Sequence, residues 1–224
     1  MTMAHQWHVY DTLDQASVAA ADELERQINT CLQQQDSCHV ILPGGNTPVK
    51  CLQLLAEKKL PWQKIHWYLT DERCYPIGHE DRNDSMLQEH FWSRISATNI
   101  HRIQADLGPE VAASLYRETI RPISNFDIAF LGMGQDGHTA SLFPGNSGLN
   151  DQRSVIPVYD SPKQPDERVS LGISTLQKVN FRMVLAAGTD KADIIARIKN
   201  HESLPINDLG DITWFIDHAA GAKS

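Results

Sequence analysis

Residues 126–145 read Phe-Asp-Ile-Ala-Phe-Leu-Gly-Met-Gly-Gln-Asp-Gly-His-Thr-Ala-Ser-Leu-Phe-Pro-Gly. The chemistry in this stretch sits at Asp136 and His138, two positions apart around Gly137. A carboxylate at that spacing can orient an imidazole, and a neutral histidine suits general-base work at cellular pH. Gly132, Gly134 and Gly137 let the backbone come close to a ligand. Two other readings compete. Gly132-x-Gly134-x-x-Gly137 fits the dinucleotide fingerprint, but that motif must open a long helix. Pro144, Gly145 and Gly148 break any helix here after roughly one or two turns. The remaining reading is a plain glycine turn with a solvated histidine.

Three other places bring charge or free donors to the end of an apolar run. Residues 39–43 read as a strand that stops at Gly44-Gly45-Asn46-Thr47-Pro48, and a helix pattern follows from Val49 to about Lys59. Free N–H groups and the helix dipole make such a junction an anion site, and Pro48 suits the first helical position. Residues 181–187 form another apolar run, ending at Gly188-Thr189-Asp190-Lys191 before a helix over 192–199. A lysine at a helix start opposes the dipole, which makes sense if an anion lies between them. Residues 64–70 read as a strand closed by Asp71-Glu72-Arg73. These charges are either a solvated corner or part of a site, and Arg73 can make planar, bidentate contacts to a carboxylate or phosphate.

The elements that must position these groups follow from periodicity. Residues 6–10 suit a short first strand. Residues 14–35 hold no Pro or Gly and carry Ala16, Ala19, Ala20, Leu24, Ile28 and Leu32 on one face, a long helix capped by Asp11 or Asp14. Arg82-Asn83-Asp84-Ser85 opens a helix running to about Ile95, with Arg82 and Asn83 as candidate contacts or a solvated helix start. A short strand over 101–105 and a helix over 109–120 lead into the strand at 126–131. Loops surround a strand at 155–159, and strands at 168–173 and 211–216 complete the chain. Strands that stop in glycine loops and return through helices give an α/β class with ligands at the strands' carboxyl ends.

Composition narrows the classes. A chain of 224 residues, 41% hydrophobic and 21% charged, is ordinary for a soluble α/β domain, and one domain over 1–224 is expected. The net charge of −8 opposes non-specific nucleic-acid binding, so an anionic ligand needs locally concentrated positive charge. Cys31, Cys38, Cys51 and Cys74 lack Cys-x-x-Cys spacing and read as reduced thiols of a cytoplasmic protein, not a disulfide frame or zinc site. No signal peptide or membrane span is read.

The loop Gly-Met-Gly-Gln-Asp-Gly-His-Thr-Ala-Ser-Leu-Phe-Pro-Gly closely resembles the signature loop of 6-phosphogluconolactonases, which group with glucosamine-6-phosphate deaminases and ribose-5-phosphate isomerases. The resemblance extends to Gly44–Pro48, Asp71–Arg73 and Gly188–Lys191, over about residues 40–220. It implies a three-layer α/β/α fold with a mostly parallel, Rossmann-like sheet. It also implies hydrolysis of 6-phospho-D-glucono-1,5-lactone, the second step of the oxidative pentose phosphate pathway. His138 would be the base, oriented by Asp136, with Arg73 near the reacting carbonyl. Gly44, Gly45, Asn46, Thr47, Asp71 and Lys191 would hold the substrate, with Arg168 a further candidate phosphate partner. Asn46 stands where serine is commoner in the family, and Arg82–Ser85 departs from the family's Asp-Ser-Asn loop. No metal or cofactor is expected, the partner being a small phosphosugar lactone and the chain a monomer or weak homo-oligomer. A same-fold isomerase or deaminase, and a non-catalytic sugar-phosphate sensor, are the alternatives; Arg73, where deaminases usually carry tyrosine, counts against the first.

Overall fold

The computed structural model describes residues 5–222. Its strands are β1 (Gln6–Tyr10), β2 (Cys38–Leu42), β3 (Ile65–Leu69), β4 (Asp71–Arg73), β5 (Asn99–His101), β6 (Ile128–Leu131), β7 (Val155–Val158), β8 (Arg168–Leu171), β9 (Phe181–Ala186) and β10 (Thr213–Asp217). The helices are α1 (Leu13–Gln34), α2 (Val49–Ala56), α3 (Asn83–His90), α4 (Pro109–Ile120), α5 (Ile173–Gln177), α6 (Ala192–Lys199) and α7 (His218–Gly221). Seven strands form one sheet in the order β1-β10-β9-β6-β2-β3-β5, with every described pairing parallel. β4, β8 and β7 make a separate antiparallel sheet.

The central strands read as continuous apolar runs because helices cover both faces. All four residues of β6 are buried. Right-handed crossovers decide which helix lies where. The steps β1 to β2, β2 to β3 and β3 to β5 run one way across the sheet, so α1, α2 and α3 share a face; α1 packs on α2, and α2 on α3. The steps β5 to β6 and β9 to β10 run back, placing α4 and α6 on the other face. Side chains of β3 alternate accordingly. Trp67 meets the ring of Phe91 edge-on on the α3 side, while the Tyr68 ring meets Phe126 on the other.

Several boundaries differ from the sequence reading. Thr12 caps α1, its Oγ1 accepting the Gln15 N–H at 3.3 Å, so neither Asp11 nor Asp14 does. Pro48 is the N-cap of α2, not its first residue, and the helix ends at Ala56. α3 stops at His90, and the apolar spacing through Ile95 continues in a 3-10 turn. The fifth strand is Asn99–His101, two residues earlier than read.

The strand order reverses between β6 and β2: β3 and β5 are added outward from β2, and β9 and β10 outward from β6 on the other side. That switch point is where open α/β sheets hold ligands, beyond the strands' carboxyl ends. β2, β6 and β9 are neighbours, so the three glycine loops that follow them converge. At the opposite end, ligand-capable atoms of Cys31, Cys38 and Asp127 lie within 4.8 Å of one another. Asp127 there accepts the His39 N–H at 2.8 Å and the Gln35 amide at 3.0 Å.

Candidate active site

The loop after β6 folds back on itself. The Gly134 N–H donates to the His138 carbonyl at 2.9 Å, and the Thr139 hydroxyl to the Gly132 carbonyl at 2.9 Å. His138 Nδ1 lies 2.5 Å from Asp136 Oδ1, which also accepts the His138 N–H at 3.2 Å. The carboxylate therefore fixes the proton on Nδ1 and leaves Nε2 as the basic nitrogen; Nε2 has no protein partner among the described residues. The imidazole lies against Gly134 so closely that a Cβ there would sit 2.0 Å from its ring atoms. No side chain other than hydrogen fits beneath that ring. Burial pushes the His138 pKa below its ordinary value, and the Asp136 carboxylate only partly offsets this, which favours the neutral ring. Burial pushes the Asp136 carboxyl up, but the His138 charge and hydrogen bonds outweigh it and hold the pKa below its ordinary value.

His138 faces a cleft that Gly44, Gly45, Asn46, Thr47, Asp71, Arg73, Arg168 and Lys191 also line. Of the residues read from the sequence as catalytic, binding or candidate contacts, Asp136 and Arg82 alone do not line this cleft; Asp136 touches it through His138. The backbone N–H groups of residues 44–47 make no hydrogen bond within the described chain, and no side chain caps α2. With the helix dipole they make a cluster of free donors at the α2 start, the kind of arrangement that suits an anion. Gly44 is required here because a Cβ would lie 1.8 Å from Asn83 Oδ1. Lys191 sits at the N-cap of α6 and reaches across to the Met133 carbonyl at 3.2 Å, tying the β9 loop to the β6 loop. Burial holds its pKa below the usual lysine value, partly offset by Asp190.

Asp71-Glu72-Arg73 is a strand, not a solvated corner, and its period of two divides the three charges. Asp71 and Arg73 point to the cleft. Glu72 points away, fully buried, and accepts the N–H groups of Arg73, Asn83 and Asp84 at 2.8 Å each. It caps α3 from outside, where Arg82 supplies no side-chain cap. Burial and the Asp84 carboxylate push the Glu72 pKa up against those three donors. Asp71 is also committed to structure: its oxygens accept the Thr70 hydroxyl at 2.8 Å and the Ser141 hydroxyl at 2.6 Å. Arg73 donates through Nη1 to the Asp81 carbonyl, while its buried Nε has no partner among the described residues.

The reading of residues 82–85 as a solvated helix start is overturned. Arg82, Asn83 and Asp84 are all buried. Arg82 holds Asp84 through Nε at 2.8 Å and Nη2 at 3.0 Å, and also donates to the carbonyls of Tyr75 and Ile103. Asn83 donates to the Asp71 carbonyl at 2.8 Å and lines the cleft over Gly44. Arg168 is buried too, and donates through Nε to the Pro165 carbonyl at 3.1 Å. Its Nη2 donates to the carbonyls of Lys163 at 2.8 Å and Gln164 at 3.0 Å. Sequence reasoning missed Lys163, which lines the cleft from that segment, and Glu72. Neither carries a local signal: Lys163 lies in an irregular segment without helix or strand period, and Glu72 caps amides eleven and twelve residues away.

A family model described as "Glucosamine-6-phosphate isomerases/6-phosphogluconolactonase" matches residues 11–213. A 6-phosphogluconolactonase of Thermotoga maritima is 32% identical over 204 residues, covering 87% of this chain and 91% of that one. One from a Nostoc species is 30% identical over 230 residues, covering 94% and 95%. The crystal structure of the Thermotoga maritima enzyme superposes with a TM-score of 0.90 at 28% identity, covering 96% of this chain and all of the other. A monomeric glucosamine-6-phosphate deaminase shares the fold, with a TM-score of 0.86 at 19% identity over 98% of this chain and 100% of its own. With the glycine loops, the Asp136–His138 pair and a family match across nearly its whole length, this chain belongs to the glucosamine-6-phosphate isomerase/6-phosphogluconolactonase family of enzymes.

Proposed function

We propose that this protein hydrolyses 6-phospho-D-glucono-1,5-lactone to 6-phospho-D-gluconate, with His138 as general base. The observation that carries the reading is the His138–Asp136 pair, with Nδ1 held and Nε2 unpartnered, facing a cleft that opens on the free donors at the α2 start. The relatives named as lactonases at about 30% identity support the substrate. The phosphate rests on the free amides of residues 44–47 at the α2 start and on Lys191. His138 Nε2 takes a proton from water as its oxygen bonds to the lactone carbonyl carbon. The imidazolium that forms is stabilised by Asp136. The carbonyl oxygen gains charge in the tetrahedral intermediate, and the Arg73 guanidinium, which lines the cleft with only Nη1 hydrogen-bonded among the described residues, is the donor available to it. As the intermediate collapses, the ring carbon–oxygen bond breaks and His138 returns the proton to the ring oxygen. The resulting acid ionises to the product carboxylate.

The test is hydrolysis of freshly generated lactone, with spontaneous hydrolysis subtracted, for the wild type and His138→Ala. Acceleration lost in the variant is the expected result. No acceleration by the wild type, with turnover of glucosamine 6-phosphate instead, overturns the reading in favour of a deaminase.

A further inference from the structure

Residues 161–168 form a strap whose backbone is pinned at one end by a buried guanidinium. Arg168, in β8, uses Nε and Nη2 on three successive carbonyls, those of Lys163, Gln164 and Pro165. The Ser161 hydroxyl closes the same turn, donating to the Lys163 carbonyl at 2.8 Å and accepting the Lys163 N–H at 3.3 Å. The Ser161 N–H donates to the Asp166 carbonyl at 3.0 Å. These bonds fix the backbone of Lys163 over the cleft and leave its side chain free. Its ammonium has no carboxylate within ion-pair distance among the described residues, yet it lines the cleft with His138 and Lys191. It lies close enough to both that its charge disfavours theirs. Lys191 has Asp190 at 3.8 Å, but the Lys163 ammonium and the free amides of residues 44–47 face the cleft with no carboxylate paired to them among the described residues, and they call for an anionic counter-ion. A phosphate monoester dianion supplies it.

We propose that Lys163 is a phosphate-reading cation for the substrate of this site, and that Arg168 is a positioning residue that aims it through the strap. The proposal rests on the lactonase reading for the identity of the phosphosugar. It assigns Arg168 chiefly to the strap, since only its Nη1 is left without a protein partner among the described residues.

Calorimetric binding of 6-phosphogluconate, with gluconate as the uncharged-end control, tests this without turnover. Lys163→Met is expected to weaken 6-phosphogluconate binding about ten-fold, the size of one charge-assisted hydrogen bond, and Lys163→Arg to restore it. Binding of gluconate is expected to stay unchanged. Arg168→Gln is expected to weaken 6-phosphogluconate binding by a similar factor, and the double variant no further, because both act through one ammonium. If Arg168→Gln does not fold, Arg168→Lys serves, since one ammonium cannot reach three carbonyls. An unchanged affinity in Lys163→Met overturns the phosphate role, and additive losses overturn the positioning role. Failure of the wild type to hydrolyse the lactone overturns the reaction instead, and the binding comparison still decides the strap.

Discussion

Two charged segments flank the cleft, and their charges have opposite fates. In the loop after β6, Asp136 engages His138 alone and leaves Nε2 unpartnered toward the cleft. In the segment from Asp71 to Asp84, nearly every charge is consumed internally. Glu72 takes three N–H groups, Arg82 and Asp84 hold each other, and Asp71 binds two hydroxyls. Arg73 is the exception, with only Nη1 hydrogen-bonded among the described residues and its guanidinium lining the cleft. Charge density therefore does not mark a site in this molecule. Unused hydrogen-bonding capacity facing a cleft does, because a buried group whose partners are complete has nothing to offer a substrate.

That contrast predicts a separation of rate from stability. His138→Ala is expected to lower kcat by roughly 10²–10⁴-fold with little change in melting temperature, measured by lactone hydrolysis and calorimetric melting. Equal loss of both would place His138 with the structural charges. Arg82→Met is expected to do the reverse. It strips a buried partner from Asp84 and costs about 3 kcal/mol of stability, read as a lower denaturant midpoint, with kcat of the folded fraction largely kept. Glu72→Ala leaves the first amides of α3 uncapped and costs less, about 1–2 kcal/mol by the same measurement.

The smallest effect separates two acid limbs. His138 lies below its ordinary pKa because of burial, so the acid limb of kcat/KM belongs below pH 6.5. A second set of histidines stacks on the sheet face: His39 on His66 and His66 on His101, with ring centroids 4.8 Å and 5.4 Å apart. Burial and the other two histidines push the His101 pKa down to about 4. A histidine depressed in the folded state binds fewer protons there than when unfolded. Its contribution is complete above about pH 6.5 and is lost as pH falls toward 4. Melting temperature is thus expected to drop over that window. His101→Asn is expected to flatten the drop without moving the acid limb of activity. A shift of both limbs together would show that the two sets of histidines are coupled.

Much of this was legible locally. The amphipathic stripe of α1, the apolar run of β6 and the glycine loops ending β2, β6 and β9 are read from neighbours in sequence, where helix and strand periods operate. So was the Asp136–His138 pair, whose geometry depends on a single intervening glycine. The fates of residues 71–84 were not legible. β4 is a strand because Asp71 pairs with Ser170 and Arg73 with Arg168, and no local pattern announces partners that distant. Arg168 was read as a candidate phosphate partner from its type; the three carbonyls that its Nε and Nη2 hold lie in an irregular segment that no helix or strand period describes.

The sequence by itself determined the alternation of strands and helices, the backbone freedom at the loops, and which residue types stood at the strand ends. Those properties depend on side-chain periodicity and on local sterics. Only the tertiary structure decided that β2, β6 and β9 lie side by side, and hence that three separate loops form one cleft. It also decided which charges face that cleft and which are neutralised behind it. Hydrogen-bond satisfaction is a property of packed neighbours, and the chain sets those neighbours only when the sheet order is fixed.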